Sequence, residues 1–323
     1  MILVESETDP EHGCMPHQRP MEKLLMQGVI NLDKPPGPTS HEIVSWVKVM
    51  LAVPRTGQGG TLDPGVTGVL PIALGDATKG LRALLEGGKE YVCVMKLHKN
   101  VEENKLRKAF EDFTTKIYQT PPLRSAVKRE RRIREVYYTE VMEVKKRDVL
   151  FKIGCEAGTY VRTFAEDIGT ALGTGGNLFQ LRRTKSARFL EDDAHTLHDL
   201  KDAFMDWKAD GKEEAIRKII LPMEAMFVHL PKFVVRDSAV DAVCHGADLA
   251  VPGLCAVSEG VNRGNLVCVE TLKGEAVALA MALKSTEELL KEKKGIAANL
   301  DRVMMSPGTY AKMWKSGTND KGD

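Results

Sequence analysis

The chain has 323 residues, of which 28% are charged and 43% hydrophobic, and its formal net charge is +1. This length exceeds the roughly 100–200 residues of one typical domain, so the sequence predicts two domains. No apolar run approaches the roughly 18 residues that a membrane-spanning helix needs, and the first residues lack the basic and apolar regions of a secretory signal. The sequence therefore argues against a membrane protein or a secreted protein and predicts a cytoplasmic one.

The cysteines are scattered along the chain without any Cys-x-x-Cys pair. They stand mostly among Val, Leu and Ala, which is the setting of small buried side chains. The sequence therefore predicts free buried thiols rather than zinc ligands or disulfides. These cysteines are Cys14, Cys93, Cys155, Cys244, Cys255 and Cys268.

Short strands and helices are interleaved in the first two thirds of the chain. Residues 1–20 are polar and lack periodicity, so they are predicted to form an extended arm. Thr39 and Glu42 have the spacing of a capping box, which predicts that a helix begins there, and Thr78 is predicted to cap a second, short helix. Alternation of apolar residues indicates strands, and spacings of three and four indicate helices. The predicted strands cover 29–32, 69–74, 91–97, 136–144 and 149–155, and further helices cover 106–113 and 160–172.

A second, mainly β pattern begins near Leu230. Strands are predicted around 266–271, 276–282 and 299–305, and a capping box at 285–288 predicts one helix that ends near Gly295. Because strands and helices do not follow a regular β-α repeat, a mixed sheet is favoured over a doubly wound one. The sequence thus predicts an α+β fold with a mixed, largely antiparallel sheet flanked by helices, followed by a small, mainly β domain.

Positive charge is concentrated in residues 128–134, where five basic residues accompany one acid. Two prolines, Pro121 and Pro122, precede this segment and favour an exposed, extended loop. Such a concentration of Lys and Arg is typical of a nucleic-acid contact, and a solvated run of charge has the same composition.

Asp63 lies in a Gly-rich turn, Gly59-Gly60-Thr61-Leu62-Asp63-Pro64. Alone, this motif says little, because Asp before Pro often caps a turn. However, four segments occur in the same order as in the TruB/dyskerin family of pseudouridine synthases, and the chain resembles that family from Gly28 to Phe189. The segments are Gly28–Ser40, Gly59–Leu70, Lys89-Glu90-Tyr91, and Gly158–Thr163 with the later Leu181-Arg182-Arg183-Thr184.

The resemblance implies that Asp63 is the catalytic aspartate. It would attack the target uridine so that the base detaches from its ribose, turns, and rejoins through carbon. The site is expected to be a pocket that has expelled water, where a carboxylate tends to take up a proton unless a fixed cation opposes this. Arg162 matches the family's active-site arginine, and a guanidinium stays charged when it is buried. Without the motif, Arg162 would be interpreted as an ordinary surface arginine.

Further pocket residues follow from the same resemblance. Tyr91 matches the aromatic residue on which the family stacks the flipped base, and its hydroxyl is a candidate for a late proton transfer. A core tyrosine in an alternating strand is the alternative, and the two are compatible. Tyr160 and Leu181 match pocket-lining positions, and Lys34 belongs to a motif that supports the pocket floor. Gln58 stands where many members carry His, which removes an imidazole but leaves a group able to hydrogen-bond RNA.

Two segments are expected to bind RNA. Residues 121–129 resemble the family's thumb, whose positive charge would contact phosphates in a salt-dependent manner. The region after residue 230 looks like a PUA RNA-binding domain, whose glycines would let RNA approach the backbone closely. By itself, His245 would be interpreted as a satisfied surface histidine. The predicted RNA-binding residues are Gln58, Arg124, Lys128, Arg129, Arg131, Arg132, His245, Gly246 and Ala247.

The N-terminal arm, residues 31–42 and the Arg-rich segment resemble the archaeal and eukaryotic dyskerin branch, and the absence of long Lys-rich tails favours the archaeal type. That branch acts in box H/ACA ribonucleoproteins, where a guide RNA pairs with the substrate and small proteins attach to the catalytic domain. The implied domains are an arm at 1–20 that packs on the PUA domain, a catalytic domain at 21–229, the PUA domain at 230–315 and a disordered tail at 316–323.

Three functions remain open at this point. The first is a guide-RNA-dependent pseudouridine synthase for ribosomal RNA, and the second is a stand-alone synthase for the T-loop uridine of transfer RNA. The third is an RNA-binding scaffold without catalysis. No metal or organic cofactor is expected, because the sequence contains no ligand cluster and no nucleotide-binding fingerprint.

Overall fold

The computed structural model describes residues 1–121, 128 and 130–313. The chain divides into two compact units. The central unit comprises residues 30–72 and 84–219, and the terminal unit comprises residues 1–29, 73–83 and 220–323. Within the described ranges, no helix is both long enough and apolar enough to cross a membrane.

The helices and strands follow in chain order over the described residues. The helices are α1 (Met21–Met26), α2 (Ser40–Leu51), α3 (Leu81–Glu86), α4 (Glu103–Asp112), α5 (Val161–Ala171), α6 (Leu197–Asp210), α7 (Glu214–Ile219), α8 (Asp237–Cys244) and α9 (Thr286–Lys291). The strands are β1 (Gly28–Lys34), β2 (Thr56–Gln58), β3 (Thr67–Leu74), β4 (Lys89–Leu97), β5 (Lys116–Gln119), β6 (Arg132–Lys145), β7 (Asp148–Cys155), β8 (Gly176–Ser186), β9 (Phe189–Leu190), β10 (Ile220–Pro222), β11 (Lys232–Val235), β12 (Leu249–Ala250), β13 (Leu254–Val257), β14 (Leu266–Thr271), β15 (Ala276–Ala282) and β16 (Ile296–Val303).

A mixed sheet forms the framework of the central unit. Its strands lie in the order β1-β3-β8-β4-β7-β6-β5, with β2 beside β3 and β9 beside β8. Strands β3 and β8 are parallel, whereas β4 is antiparallel to both β7 and β8. The long hairpin of β6 and β7 closes at a charged turn, where Lys145 pairs with Asp148. The predicted α+β fold with a mixed, largely antiparallel sheet is confirmed.

Helices α4 and α5 are held on this sheet by an aromatic cluster. The ring of Phe110 in α4 lies 4.9 Å from that of Phe151 in β7 and 5.9 Å from that of Phe164 in α5, in edge-to-face geometry. Burying each such side chain stabilises the fold by about 1.5–3 kcal/mol. The apolar face of α5 also buries Ile168, as its spacing predicts. The opposite face of α5 is therefore left for polar side chains.

The terminal unit contains a second sheet, in the order β12-β16-β15-β14-β11-β13. Strands β11 and β14 are parallel, and the other pairs are antiparallel. The first residues of the chain extend this sheet, because the amino group of Met1 donates to the carbonyl of Val257 at 2.7 Å and Leu3 N–H donates to Cys255 at 2.8 Å. Thr8 continues the contact through its hydroxyl, 2.9 Å from the carboxylate of Asp237.

Several predicted boundaries were wrong. Thr78 does not cap α3, since it lies inside a 3₁₀ helix (Gly75–Gly80) and donates its hydroxyl to the Gly75 carbonyl at 2.7 Å. The basic segment is not wholly a loop, because β6 already begins at Arg132. Helix α9 ends at Lys291, well before Gly295, and β16 starts at Ile296 rather than near 299.

Several elements were missed altogether, and α6 and β8 are the longest of them. Helix α6 begins with a capping box of Thr196 and Asp199, in which the acid is Asp rather than Glu. Strand β8 carries several charged residues that do not alternate with apolar ones, so its sequence lacks the usual strand pattern. The prediction of buried free thiols is confirmed for five cysteines, whereas Cys14 is only partly buried.

Candidate active site

Asp63 lies in the turn between β2 and β3. Lys34, at the end of β1, holds the backbone of this turn through hydrogen bonds. The Val66 N–H donates to the Asp63 carbonyl at 3.0 Å and closes the turn. The fully buried Lys34 ammonium donates to the carbonyls of Pro35, Pro64 and Val66 at 3.0, 3.0 and 2.9 Å. These bonds replace the hydration that the ammonium loses. Burial lowers the pKa of Lys34, and the negative charge of Asp63 opposes that shift.

The amino end of α2 holds the same turn from a second side. The hydroxyl of Ser40, itself buried, donates to the Leu62 carbonyl and accepts from the Leu62 N–H, both at 2.8 Å. The Gly37 N–H donates to the Pro64 carbonyl at 2.9 Å. The backbone on both sides of Asp63 is therefore fixed within the chain, which is the preorganisation that a reactive side chain requires.

Arg162 lies in the first turn of α5, and the start of that helix is fixed by Gln119. Tyr160 N–H donates to the side-chain oxygen of Gln119 at 2.9 Å, and the side-chain nitrogen of Gln119 donates to the Tyr160 carbonyl at 3.1 Å. Gln119 is buried, so this pair of bonds is shielded from water. The arrangement sets the direction in which α5 starts and hence the position of Arg162.

Asp63 and Arg162 meet in an ion pair although they are 99 residues apart in the chain. Nη2 of Arg162 donates to Oδ2 of Asp63 at 2.9 Å. The two side chains are 58% and 61% exposed, so the expected pocket without water is wrong for the free chain. The carboxylate protrudes from a turn whose backbone is clamped, and more than half of its side-chain surface is open to solvent. An ion pair this exposed stabilises a fold by only about 0–1 kcal/mol. The contact therefore orients the carboxylate more than it stabilises the protein.

Tyr91 and Leu181 lie on the neighbouring strands β4 and β8. Both are partly buried and pack against the aromatic cluster of the central unit. Tyr91 is therefore in part the core tyrosine that was the alternative interpretation. In the antiparallel register, Cys93 pairs with Leu181 and Tyr91 pairs with Arg183. Burial raises the pKa of the Tyr91 hydroxyl, and the Arg183 guanidinium opposes that shift.

Arg183 is the feature of the site for which sequence reasoning assigned no role. Its motif was recognised, but a charged side chain in a strand normally faces solvent. Here the side chain is 1% exposed, and Nε donates to the Val69 carbonyl at 2.7 Å while Nη2 donates to the Gly60 carbonyl at 3.0 Å. Both acceptors lie in the segment that carries Asp63. No local pattern could have shown this, because the acceptors are more than 100 residues away in the chain.

The predicted RNA-binding residues of the central unit are not equally accessible. The side-chain nitrogen of Gln58 donates to the Thr61 hydroxyl at 2.9 Å, and its oxygen is buried without a partner. Lys128 is exposed and forms an ion pair with Glu130. The guanidinium of Arg131 lies 4.6 Å from the ring centroid of Tyr118.

Arg132 belongs to β6 and lines a small cavity of about 60 Å³ together with Gln119 and Tyr160. This position in a strand corrects the expectation that Arg132 lies in an exposed, extended loop. Arg124 and Arg129 lie outside the described residues.

The predicted RNA-binding residues of the terminal unit follow α8 and are exposed. His245 is satisfied locally, since Nδ1 lies 2.8 Å from the Asp241 carbonyl. Gly246 has a φ of +94°, and nothing lies within 4 Å of the place where a Cβ would stand. The backbone there is open to a close approach. Among the residues that the structure describes, no three His, Cys, Asp or Glu side chains come together as a metal site.

A clamped aspartate paired with an arginine, in a unit whose sheet carries Tyr91, fits the class of enzymes that isomerise uridine in RNA. Residues 48–161 match the TruB family pseudouridylate synthase N-terminal domain, and residues 162–228 match the tRNA pseudouridylate synthase B C-terminal domain. Residues 1–44 match the DKCLD (NUC011) domain and residues 231–304 the PUA domain. The protein is a pseudouridine synthase.

Similarity over nearly the whole chain identifies the family. The probable tRNA pseudouridine synthase B of Methanopyrus kandleri is 53% identical over 310 residues, which is 96% of this chain and 92% of that protein. A chain in the crystal structure of a Cbf5-Nop10-Gar1 complex is 52% identical, with a TM-score of 0.93 and coverage of 96% of this chain and 95% of that one. A chain of an H/ACA RNP bound to a substrate RNA containing 2'-deoxyuridine is 50% identical, with a TM-score of 0.91 and coverage of 97% and 96%. The chain belongs to the TruB family of pseudouridylate synthases.

Proposed function

We propose that this pseudouridine synthase is the catalytic subunit of a box H/ACA ribonucleoprotein and that a guide RNA directs it to uridines of ribosomal RNA. Two findings support the proposal. Similar solved chains occur in a Cbf5-Nop10-Gar1 complex and in an H/ACA RNP with substrate RNA. Residues 1–44 match a DKCLD domain, and they include the N-terminal arm whose sequence resembles the dyskerin branch. The expected partners are therefore a guide RNA, a substrate RNA, and small proteins of the same ribonucleoprotein bound to the central unit.

In this proposal Asp63 is the nucleophile, and the ion pair with Arg162 at 2.9 Å is the observation that carries the assignment. The carboxylate attacks the uridine, the bond between C1′ and N1 breaks, and a bond between C1′ and C5 forms. The proton on C5 is lost, and N1 gains one. The reaction is an isomerisation without oxidation or reduction, so no cofactor is needed to balance it. When RNA covers the site and displaces water, the guanidinium of Arg162 keeps the carboxylate ionised.

Tyr91 is proposed to stack on the extruded uracil, with Leu181 and Tyr160 lining the same pocket. Extruding a base from its stack costs a few kcal/mol, and stacking on an aromatic ring returns part of that free energy. Lys34 would act indirectly, by fixing the turn that carries Asp63.

The RNA itself would be held mainly away from the reacting base. In the central unit, Gln58, Lys128, Arg131 and Arg132 are the described candidates, and Arg124 and Arg129 remain predictions from the sequence. In the terminal unit the candidates are His245, Gly246 and Ala247. The predicted domain limits, at residues 20, 229 and 315, and a cytoplasmic location also remain predictions.

A stand-alone synthase for transfer RNA is the second candidate, because the similar protein of Methanopyrus kandleri is named as a probable tRNA pseudouridine synthase B. The same pocket could serve either substrate, since the base enters it in the same way. A scaffold without catalysis is the third candidate, and the contact between Asp63 and Arg162 argues against it.

One experiment separates these candidates. Pseudouridine formation is measured on a bare tRNA transcript and on an rRNA fragment, each with and without guide RNA and the small partner proteins. The proposal expects activity on the rRNA fragment only when the guide is present. Activity on bare tRNA without any guide would support the second candidate instead. An absence of activity in every mixture would support the third.

A further inference from the structure

A buried guanidinium, that of Arg183, lies behind the site in the central unit. Burying a charge is costly unless it is compensated, and buried arginines usually pair with a carboxylate. Across the described part of the chain, no acid forms an ion pair with Arg183, and its electrostatic partners are Tyr91 and a second cation, Lys89. The cost of burying this charge must therefore be compensated by polar groups other than acids.

The guanidinium of Arg183 interacts with three groups. Two are the carbonyls of Val69 and Gly60, on either side of the turn that carries Asp63. The third is the hydroxyl of Tyr91, which interacts electrostatically with the guanidinium. The register of the sheet supports this third contact independently, because Tyr91 and Arg183 are cross-strand partners in β4 and β8. Side chains of directly paired residues lie on the same face of a sheet, with Cβ atoms about 4.5–5.5 Å apart.

The backbone around Arg183 is fitted closely to the Asp63 segment. Gly68 pairs with Arg183 across the parallel strands β3 and β8, and a Cβ on Gly68 would lie 2.2 Å from the Arg183 carbonyl oxygen. Gly68 has a φ of +100°, which also requires glycine. Because β3 and β8 are held in this register, the backbone of Arg183 cannot shift without moving the segment that carries Asp63.

Lys89 adds a second positive charge next to Arg183. Its ammonium is buried and donates to the carbonyls of Leu84, at 2.8 Å, and Gly87. Burial and then repulsion from Arg183 lower the pKa of Lys89 to about 8. Arg183 therefore interacts with both a phenol and a second cation, and such clusters of perturbed groups are typical of functional sites.

We propose that Arg183 is a positioning residue of the isomerisation, which acts on the reaction by holding the hydroxyl of Tyr91 and tying it to the turn that carries Asp63. The inference rests on the proposed role of Tyr91. After the C1′–C5 bond has formed, C5 still carries a hydrogen that must leave as a proton, and its electron pair restores the double bond of the ring. The oxygen of Tyr91 takes that proton while its own proton passes to water. A guanidinium that donates to this oxygen both aims it and stabilises negative charge on it.

The test is a double-mutant cycle on the single-turnover rate of pseudouridine formation, measured with the full chain and saturating RNA. Removing a proton-transfer group costs roughly 10²–10⁴-fold, so Tyr91→Phe should slow the reaction at least ~100-fold. Arg183→Lys should slow it at least ~10-fold, and the double variant should be within about 3-fold of Tyr91→Phe alone, because residues that act as a unit are not additive. Arg182→Lys is the matched control, since the side chain of the adjacent Arg182 bonds to Asp33 and Glu191 instead.

The pH dependence supplies a readout that a purely structural role would not change. In Arg183→Gln the positive charge is lost but a hydrogen bond is retained, so the basic midpoint of the rate profile should move up by about one pH unit or more. In Arg183→Lys, which keeps the charge, the midpoint should stay nearer that of the wild type. Equal midpoints in all three proteins would contradict the proposal. It would also be contradicted if the rate of the double variant fell by the product of the two fold-decreases measured for the single variants.

A second measurement covers the case in which Arg183 variants do not fold. If Arg183 donates to the hydroxyl, Tyr91→Phe leaves a buried charged donor unpaired and should lower Tm by at least about 2 °C. Tyr118→Phe, at a residue that is 61% exposed, should leave Tm unchanged. An unchanged or raised Tm for Tyr91→Phe would overturn the proposal. Full activity of Tyr91→Phe would instead refute the proposed role of Tyr91, which is a distinguishable failure.

Discussion

Replacing Asp63 by Asn should separate catalysis from stability, because the two depend on different features of the site. The substitution removes the negative charge and keeps the shape of the side chain. The lost ion pair with Arg162 is more than half exposed on both sides, so the free energy of unfolding should fall by less than about 1 kcal/mol. The turn itself should persist, because Lys34 and Ser40 hold its backbone and do not contact the carboxylate through their hydrogen bonds.

The effect on the reaction should be far larger. Without the nucleophile the single-turnover rate should fall at least ~10⁴-fold, which corresponds to about 5 kcal/mol of activation free energy. The rate is measured as tritium release from RNA labelled at C5 of uridine, guide-RNA affinity by filter binding, and stability by thermal unfolding. The affinity for guide RNA should stay within about 3-fold of the wild type. The carboxylate acts only in the chemical step, so its loss leaves ground-state binding of the RNA intact.

A matched control is Asp148→Asn, which breaks another exposed ion pair of the same unit, with Lys96 at 3.6 Å. Its rate and its Tm should both remain those of the wild type. The reasoning would be refuted if Asp63→Asn kept more than a tenth of the wild-type rate. It would also be refuted if the loss of rate came with a fall in Tm of many degrees, since the carboxylate would then be holding the fold.

Three further predictions follow from the contacts described above. Lys34→Met should lower the free energy of unfolding, measured with urea, by about 2–4 kcal/mol, because the carbonyls of Pro35, Pro64 and Val66 lose a charged donor. An unchanged urea midpoint would show that these hydrogen bonds do not stabilise the fold. Arg131→Ala should reduce the slope of log affinity for guide RNA against log salt concentration by roughly 1, and an unchanged slope would remove Arg131 from the RNA contact. Addition of a chelator should leave the rate of pseudouridine formation unchanged when RNA folding is controlled separately, and a loss of activity restored by a divalent cation would contradict the absence of a metal from the reaction.

Local sequence signals predicted much of the fold. The capping boxes at Thr39 and Ser285 mark real helix starts, and the apolar spacing of α5 and the alternation in β4 describe the faces that are buried. These signals work because caps and periodicity act within a few residues. The same signals failed at Thr78, whose hydroxyl bonds to Gly75 inside a 3₁₀ helix, because neighbouring hydrogen bonds offer a polar side chain alternatives to capping.

The sequence by itself predicted which residues form the site and identified the family to which the chain belongs, because the motifs around Asp63, Tyr91 and Arg162 are specific. Only the tertiary structure decided how these residues act together. The contact between Asp63 and Arg162 joins positions 99 residues apart, and its exposure to solvent depends on packing that no motif encodes. The burial of Arg183 is likewise invisible in the sequence, because its acceptors at Val69 and Gly60 are brought to it by the pairing of distant strands. A charged side chain is stable inside a protein only where acceptors or an opposite charge compensate it, and for Arg183 those acceptors exist only in the folded chain.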